Sequence, residues 1–168
     1  MELARQRLRA INGGNDLPWN ALLPWQQLAI AVTQMFTLNR KQTLAFLLCV
    51  TARMRVRRMD PFRIIIGGPG GTGKSHIYDA IRAWYEQFNF DGELAFTAPT
   101  GIAACNIGAS TAASFLCLRT EWKQLINPRG VSLRKMIGRL EGVHTFILDE
   151  FFFLGCEDFY KISKHLKL

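Results

Sequence analysis

Gly67-Gly68-Pro69-Gly70-Gly71-Thr72-Gly73-Lys74-Ser75 decides how the rest of the chain is read. From Gly68 it fits G-x-x-x-x-G-K-[ST], the phosphate-binding loop of nucleoside triphosphatases. Glycines let the backbone curl until successive N–H groups face one centre. Those groups and the positive end of the following helix hold an anion. In this reading Gly68, Pro69, Gly70, Gly71, Thr72 and Gly73 form the cradle. Lys74 reaches the outer phosphates, and the Ser75 hydroxyl sits on a magnesium ion shared with the nucleotide. A chance glycine-rich turn would not need matching flanks, and here the flanks match. Pro61 and the apolar run Ile64-Ile65-Ile66 predict a strand buried on both faces. After the loop, Ile77, Ile81, Trp84 and Phe88 share one helix face. Asp91-Gly92 closes the unit as a turn.

A chain of 168 residues with 49% hydrophobic side chains can bury a real core, and that fraction argues against disorder. The formal charge of +8 is unevenly spread. Residues 1–63 carry ten Lys or Arg against three Asp or Glu; the remainder carry eleven against ten. A basic excess before the loop suits a polyanionic partner, although a solvated basic face would look the same. Cys49, Cys105, Cys117 and Cys156 lack C-x-x-C spacing, which speaks against zinc. They read as reduced, mostly buried side chains of an intracellular protein. No apolar run approaches the roughly 20 residues of a membrane span, so no membrane partner is expected. The scattered His76, His144 and His165 are given no chemistry.

Along the chain, residues 1–37 read as a poorly ordered or helical lead. Within it Trp25 to Phe36 predicts a helix with Leu28, Val32 and Met35 on one face. Asn39 then caps a helix that runs through Thr43-Leu44-Ala45-Phe46 to Val50. Gln42, in its first turn, can offer a donor and an acceptor to a nucleotide base; Gln26 and Gln27 are rivals with poorer flanks. Arg53, Arg55, Arg57 and Arg58 follow. Leu94 to Ala98 predicts a second buried strand, running through Pro99-Thr100-Gly101 into a small-residue helix from Ile102 to Ile107 that Gly108 breaks. Free N–H groups at such a strand end suit a second phosphate, such as one of a nucleic-acid backbone. Ser110 to Leu118 reads as a short helix or a buried turn, and residues 119–130 as loop. Leu133, Met136, Ile137 and Leu140 give a further helix face, with Arg134, Lys135 and Arg139 turned away, and Gly142 ends it. His144 to Leu148 is a third buried strand that ends in Asp149-Glu150. Beside a phosphate loop, an aspartate there can hold the magnesium shell, and a glutamate can orient and deprotonate water.

These segments together resemble the PIF1-like DNA helicases of superfamily 1, especially the helicase domains of Helitron transposons. Leu38 to Phe46 is similar to the family's glutamine motif, which selects Gln42. Gly68 to Ser75 matches motif I. Ala98-Pro99-Thr100-Gly101-Ile102-Ala103-Ala104 resembles motif Ia, and Asn106-Ile107-Gly108 and Ser110-Thr111 continue it. Asp149-Glu150 matches motif II, and Cys156-Glu157-Asp158 extends it toward the transposon type. The resemblance implies an α/β, RecA-like phosphate-loop sandwich with a mostly parallel sheet, over residues 38–168. It implies ATP and Mg2+ as cofactors and single-stranded DNA at Pro99, Thr100 and Gly101. Lys74 and Glu150 would be the catalytic residues, and Ser75 and Asp149 the metal ligands. The implied activity is ATP-driven DNA unwinding, in repair, recombination and telomere maintenance, in the nucleus or the mitochondrion.

Departures from the pattern temper that reading. Ala113 stands where the family has a histidine, and Phe152 where it has a serine. The family continues beyond the position of Leu168 into motifs III to VI and a second RecA-like domain, which supplies arginines to the nucleotide site. The chain by itself is therefore expected to bind Mg-ATP, to bind DNA only weakly and to hydrolyse slowly, since missing arginines cost roughly 10³–10⁵ in rate. The alternatives are an inactive remnant of a transposon helicase and a phosphate-loop kinase, for which no lid segment follows Asp149-Glu150.

Overall fold

The computed structural model describes residues 22–54, 62–118 and 130–166. The chain divides into two compact units, one ending at Asp91 and one beginning at Gly92. The lead before Leu22, the arginines Arg55, Arg57 and Arg58, and most of the loop expected over 119–130 lie outside the described residues.

Among the described residues the first unit is mainly helical. Helix α1 (Pro24–Met35) starts with proline at its first position, where a missing N–H costs nothing. Gln26 reaches back so that its Oε1 accepts the Leu23 N–H at 2.9 Å. The buried face is Gln26, Ala29, Ile30, Val32 and Thr33, so only Val32 of the expected stripe is buried, and Met35 is exposed. Helix α2 (Arg40–Met54) buries Thr43, Ala45, Phe46, Leu47 and Val50. Helix α3 (Lys74–Gln87) buries Ile77, Ile81 and Trp84, as their spacing predicts, with Tyr78, Ala80 and Tyr85 beside them. Trp84 ties the unit together: its indole N–H donates to the Trp25 carbonyl at 3.2 Å, and its ring meets Phe88 at 5.1 Å. Arg53, in the last turn of α2, lays its guanidinium 4.2 Å from the centre of the Phe90 ring, a cation–π contact.

The expected strand at Ile64-Ile65-Ile66 does not form. The segment is irregular, and Ile65 is 71% exposed. A β-branched run suits a strand, but a strand exists only by pairing, and the sheet is built from other segments.

The second unit is α/β with an all-parallel sheet, the RecA-like class that the sequence predicts. Strand β1 (Leu94–Ala98) is central, between β2 (Ser110–Thr111) and β3 (Thr145–Leu148), in the order β2-β1-β3. Leu94 pairs with Thr145 and Thr97 with Leu148 on one side; Thr97 pairs with Ser110 on the other. Parallel neighbours need crossovers. Helix α4 (Gly101–Asn106) makes the first; α5 (Ala112–Phe115) and α6 (Val131–Leu140) make the second. Gly108 at φ +60 and Gly142 at φ +78 end α4 and α6 as expected. Helix α7 (Cys156–His165) follows.

The core of this unit is Ala112, Leu116, Met136 and Ile162, with Phe146 and Leu148 packed against it. Two expectations need correction. β3 is half-buried throughout, because it is an edge strand of this sheet and not a central one. Ile137 is exposed, while Arg139, expected to face away, donates to the Ser114 and Phe115 carbonyls. A guanidinium there satisfies the open end of α5. The cysteines are also less buried than expected: Cys105 and Cys156 are exposed. Burial pushes the Cys49 thiol up from 9.0 to about 11.

Candidate functional site

The glycine loop enters α3 through two left-handed residues, Gly71 at φ +73 and Gly73 at φ +82. Other residues adopt that region only at a cost. Thr72 Oγ1 donates to the Pro69 carbonyl at 2.8 Å, which pins the curl. Lys74 folds over it: its Nζ donates to the Gly68 carbonyl at 2.8 Å and the Pro69 carbonyl at 3.0 Å. An ammonium has three protons, so one remains for an anion. The N-cap of α3 is Gly73, and no side chain caps its first turn. The first N–H groups of this 14-residue helix are therefore open to an anion, and the helix dipole favours negative charge there. A Cβ built at Gly67, Gly70 or Gly71 would meet no atom within 4 Å. The cradle is open on its outer side, and Ser75 is exposed at its end. These residues fit a polyphosphate.

Gln42 joins this cradle. Asn39 is the N-cap of α2; its Oδ1 accepts the N–H groups of Lys41 and Gln42 at 3.0 Å each. Gln42 replies with Oε1, which accepts the Asn39 N–H at 2.9 Å, completing a capping box. Its Nε2 donates to the Gly73 carbonyl at 3.1 Å and lies 3.5 Å from that of Thr72. Gln26 and Gln27 bond to the backbone of Leu23 and Leu22. His76, given no chemistry from the sequence, sets its Nε2 2.6 Å from the Phe36 carbonyl and meets the Phe36 ring edge-on. It thereby ties the start of α3 to the end of α1.

The remaining expected residues belong to the second unit. Thr100 caps α4, its Oγ1 accepting the Ala103 N–H at 3.2 Å. Pro99 precedes it, and Thr100 and Gly101 are exposed. Asp149 and Glu150 are neighbours with unlike surroundings. Asp149 continues the β3 ladder, its N–H donating to the Thr97 carbonyl at 2.9 Å, and it is buried. Glu150 is exposed and held at φ +46, an uncommon conformation for a residue with a Cβ. It opens a turn of 3-10 helix over Phe151–Phe153.

The model of a family described as an AAA domain matches residues 51–167, more than half of the chain. The chain belongs to this family. It is thus a nucleotide-binding phosphate-loop domain of the helicase type. No curated protein and no solved structure matches the chain. The match takes in the AAA domain's glycine loop, the Thr100 turn and the two acids, while Asn39 and Gln42 lie before it. What sequence reasoning missed is the reach of Gln42 into the loop. The signal was present, since Asn39 stands three residues before Gln42 as a capping box requires, but the Gly73 contact spans 31 residues and has no local signature.

Proposed function

We propose that this AAA domain is the nucleotide-binding part of an ATP-dependent DNA helicase of the PIF1-like type. The observation that carries it is the uncapped, glycine-started helix α3 with the Lys74 ammonium folded across the loop. Lys74 holds the outer phosphates of ATP, and the loop N–H groups hold the rest. By their resemblance to motifs I and II, Ser75 and Asp149 would each be a ligand for Mg2+, which would supply charge neutralisation at the phosphates. Glu150 takes the proton of the attacking water. The exposed hydroxyl of Thr100, with Pro99 and Gly101, contacts single-stranded DNA through phosphate, in a nuclear setting. The support is the motif set of the sequence and the AAA-domain match.

Equilibrium binding of a fluorescent ATP analogue with Mg2+, to the parent and to Lys74→Ala, tests the reading. Loss of binding in the variant is expected; equal binding by the two would sink it. For motif II, Glu150→Gln should keep binding and stop turnover in a protein that carries a second RecA-like domain.

A second reading, an inactive relic, draws on one observation. Phe152 and Phe153 are 74% and 73% exposed, which leaves apolar surface where the family has a small hydroxyl. Higher ATPase activity after Phe152→Ser in that two-domain protein favours it.

A further inference from the structure

We propose that His76 is a positioning residue for the phosphate loop, and that through it the end of α1 is coupled to triphosphate binding. The inference rests on the nucleotide-site reading above. His76 is the third residue of α3, in the turn whose N–H groups are open to an anion. Helix ends fray, and no side chain caps this one. A site that must order its donors on binding loses affinity by that cost, whereas one held in advance keeps it. His76 does the holding. Its Nε2 lies 2.6 Å from the Phe36 carbonyl, and a carbonyl only accepts, so Nε2 carries the proton and donates. The two rings meet edge-on, their centroids 5.6 Å apart. A Cβ built at Gly73 would lie 2.5 Å from Gln42 Nε2 and 4.0 Å from His76 Cβ. Both side chains therefore stand against the residue that opens the helix.

Burial does not demand the His76 contact. His76 is exposed, and the Phe36 carbonyl, at the C-cap of α1, can be met by water instead. The turn that offers this carbonyl is itself costly. Thr37 follows at φ +46, a genuine outlier for a β-branched residue, and such a residue persists where its surroundings over-determine it. Its N–H donates to the Gln34 carbonyl, and the Leu38 N–H to the Thr33 carbonyl, each at 3.0 Å. Trp84 supplies an internal contrast. It joins the same two helices, its indole N–H donating to the Trp25 carbonyl at 3.2 Å, but about three turns further along α3. Linkage makes the His76 coupling reciprocal. If tying down the end of α1 favours the anion, the anion must tie down the end of α1.

The test measures Mg-ATP and inorganic triphosphate affinities on the full chain, beside melting temperatures. His76→Phe keeps a ring against Phe36 and loses the donor. It should weaken both ligands by about three- to tenfold, the loss of one hydrogen bond. His76→Gln keeps an N–H donor and should bind both as the parent does. Trp84→Phe should lower the melting temperature, since it loses a donor and buried volume, and leave both affinities as in the parent. Hydrogen exchange on the parent needs no variant and covers the case in which one fails to fold: bound triphosphate should slow exchange of the Thr37 and Leu38 N–H groups. Unchanged affinity in His76→Phe would overturn this inference alone. So would an equal loss in Trp84→Phe, a His76→Gln variant no better than His76→Phe, or exchange at Thr37 and Leu38 that ignores the ligand. A parent that binds neither ligand would overturn the nucleotide site itself, and the inference with it.

Discussion

Two helices of this protein begin at turns that the sequence marks as anion sites, and they begin differently. Helix α3 starts at Gly73, with no side chain on its first N–H groups. Helix α4 starts at Thr100, whose hydroxyl already takes the Ala103 N–H. The first start is open and is surrounded by groups that shape it: Lys74 on the loop carbonyls, Thr72 on Pro69 and Gln42 on Gly73. The second has one of its first N–H groups taken by its own residue and is only six residues long, so less dipole stands behind it. Equal sequence signals thus conceal unequal sites. A phosphate at the first takes up unmet backbone donors. A phosphate at the second finds one of those donors already taken by the Thr100 hydroxyl.

The comparison can be broken most directly at Lys74. Lys74→Ala should lower Mg-ATP affinity by about a hundredfold, the loss of a charge-assisted contact, as read by titration with a fluorescent analogue. A loss below threefold would place the anion elsewhere.

A pH titration sharpens the contrast on the side of the first unit, where α2 carries Cys49. Burial raises its thiol from 9.0 to about 11, so the folded state favours the neutral form. Stability from this group is fully present below pH 9, falls as the unfolded chain ionises, and levels off above the folded value. The loss should be of the order of 2 kcal/mol between those limits, visible in denaturant melts from pH 8 to 11. Cys49→Ala should abolish that slope.

Gly73→Ala asks whether the open start depends on its backbone. A left-handed alanine costs roughly 1–2 kcal/mol, and its Cβ must displace Gln42. Both the melting temperature and triphosphate affinity should fall. Thr100→Ala has the smallest effect: the lost cap should cost about 1 kcal/mol of stability, with Mg-ATP affinity unchanged. If nucleotide affinity fell with it, the two helix starts would not be separate sites.

Much of this was legible in the residues. The order of strand, turn and helix at β1 and α4, the face of α3, the glycine that ends α4 and the acids after β3 follow from local pattern, and all occur where the pattern put them. Other features depend on partners distant in sequence. Ile64 to Ile66 has the composition of a strand, but composition says nothing of what pairs with it. β3 reads as a buried strand, yet its place at the sheet edge is a matter of topology. Met35 and Ile137 show that a stripe of apolar residues fixes a helix face only to within about a turn. Arg139 looked like solvated charge because the carbonyls it satisfies lie on a different helix. At the candidate site the loop chemistry was readable from Gly68 to Ser75. The Gln42 contact was not, since it depends on how α2 packs against the start of α3.

The unequal settings of the four thiols make the chain chemically addressable. Cys105 on α4 and Cys156 at the start of α7 are exposed, whereas the Cys49 thiol stays protonated at neutral pH and so reacts poorly with an alkylating dye. Brief maleimide treatment of the native protein should therefore label the second unit first. Cys105 lies five residues beyond Thr100. A fluorophore there would report an oligonucleotide arriving at that turn, while one on Cys156 would serve as its reference, without any engineered cysteine.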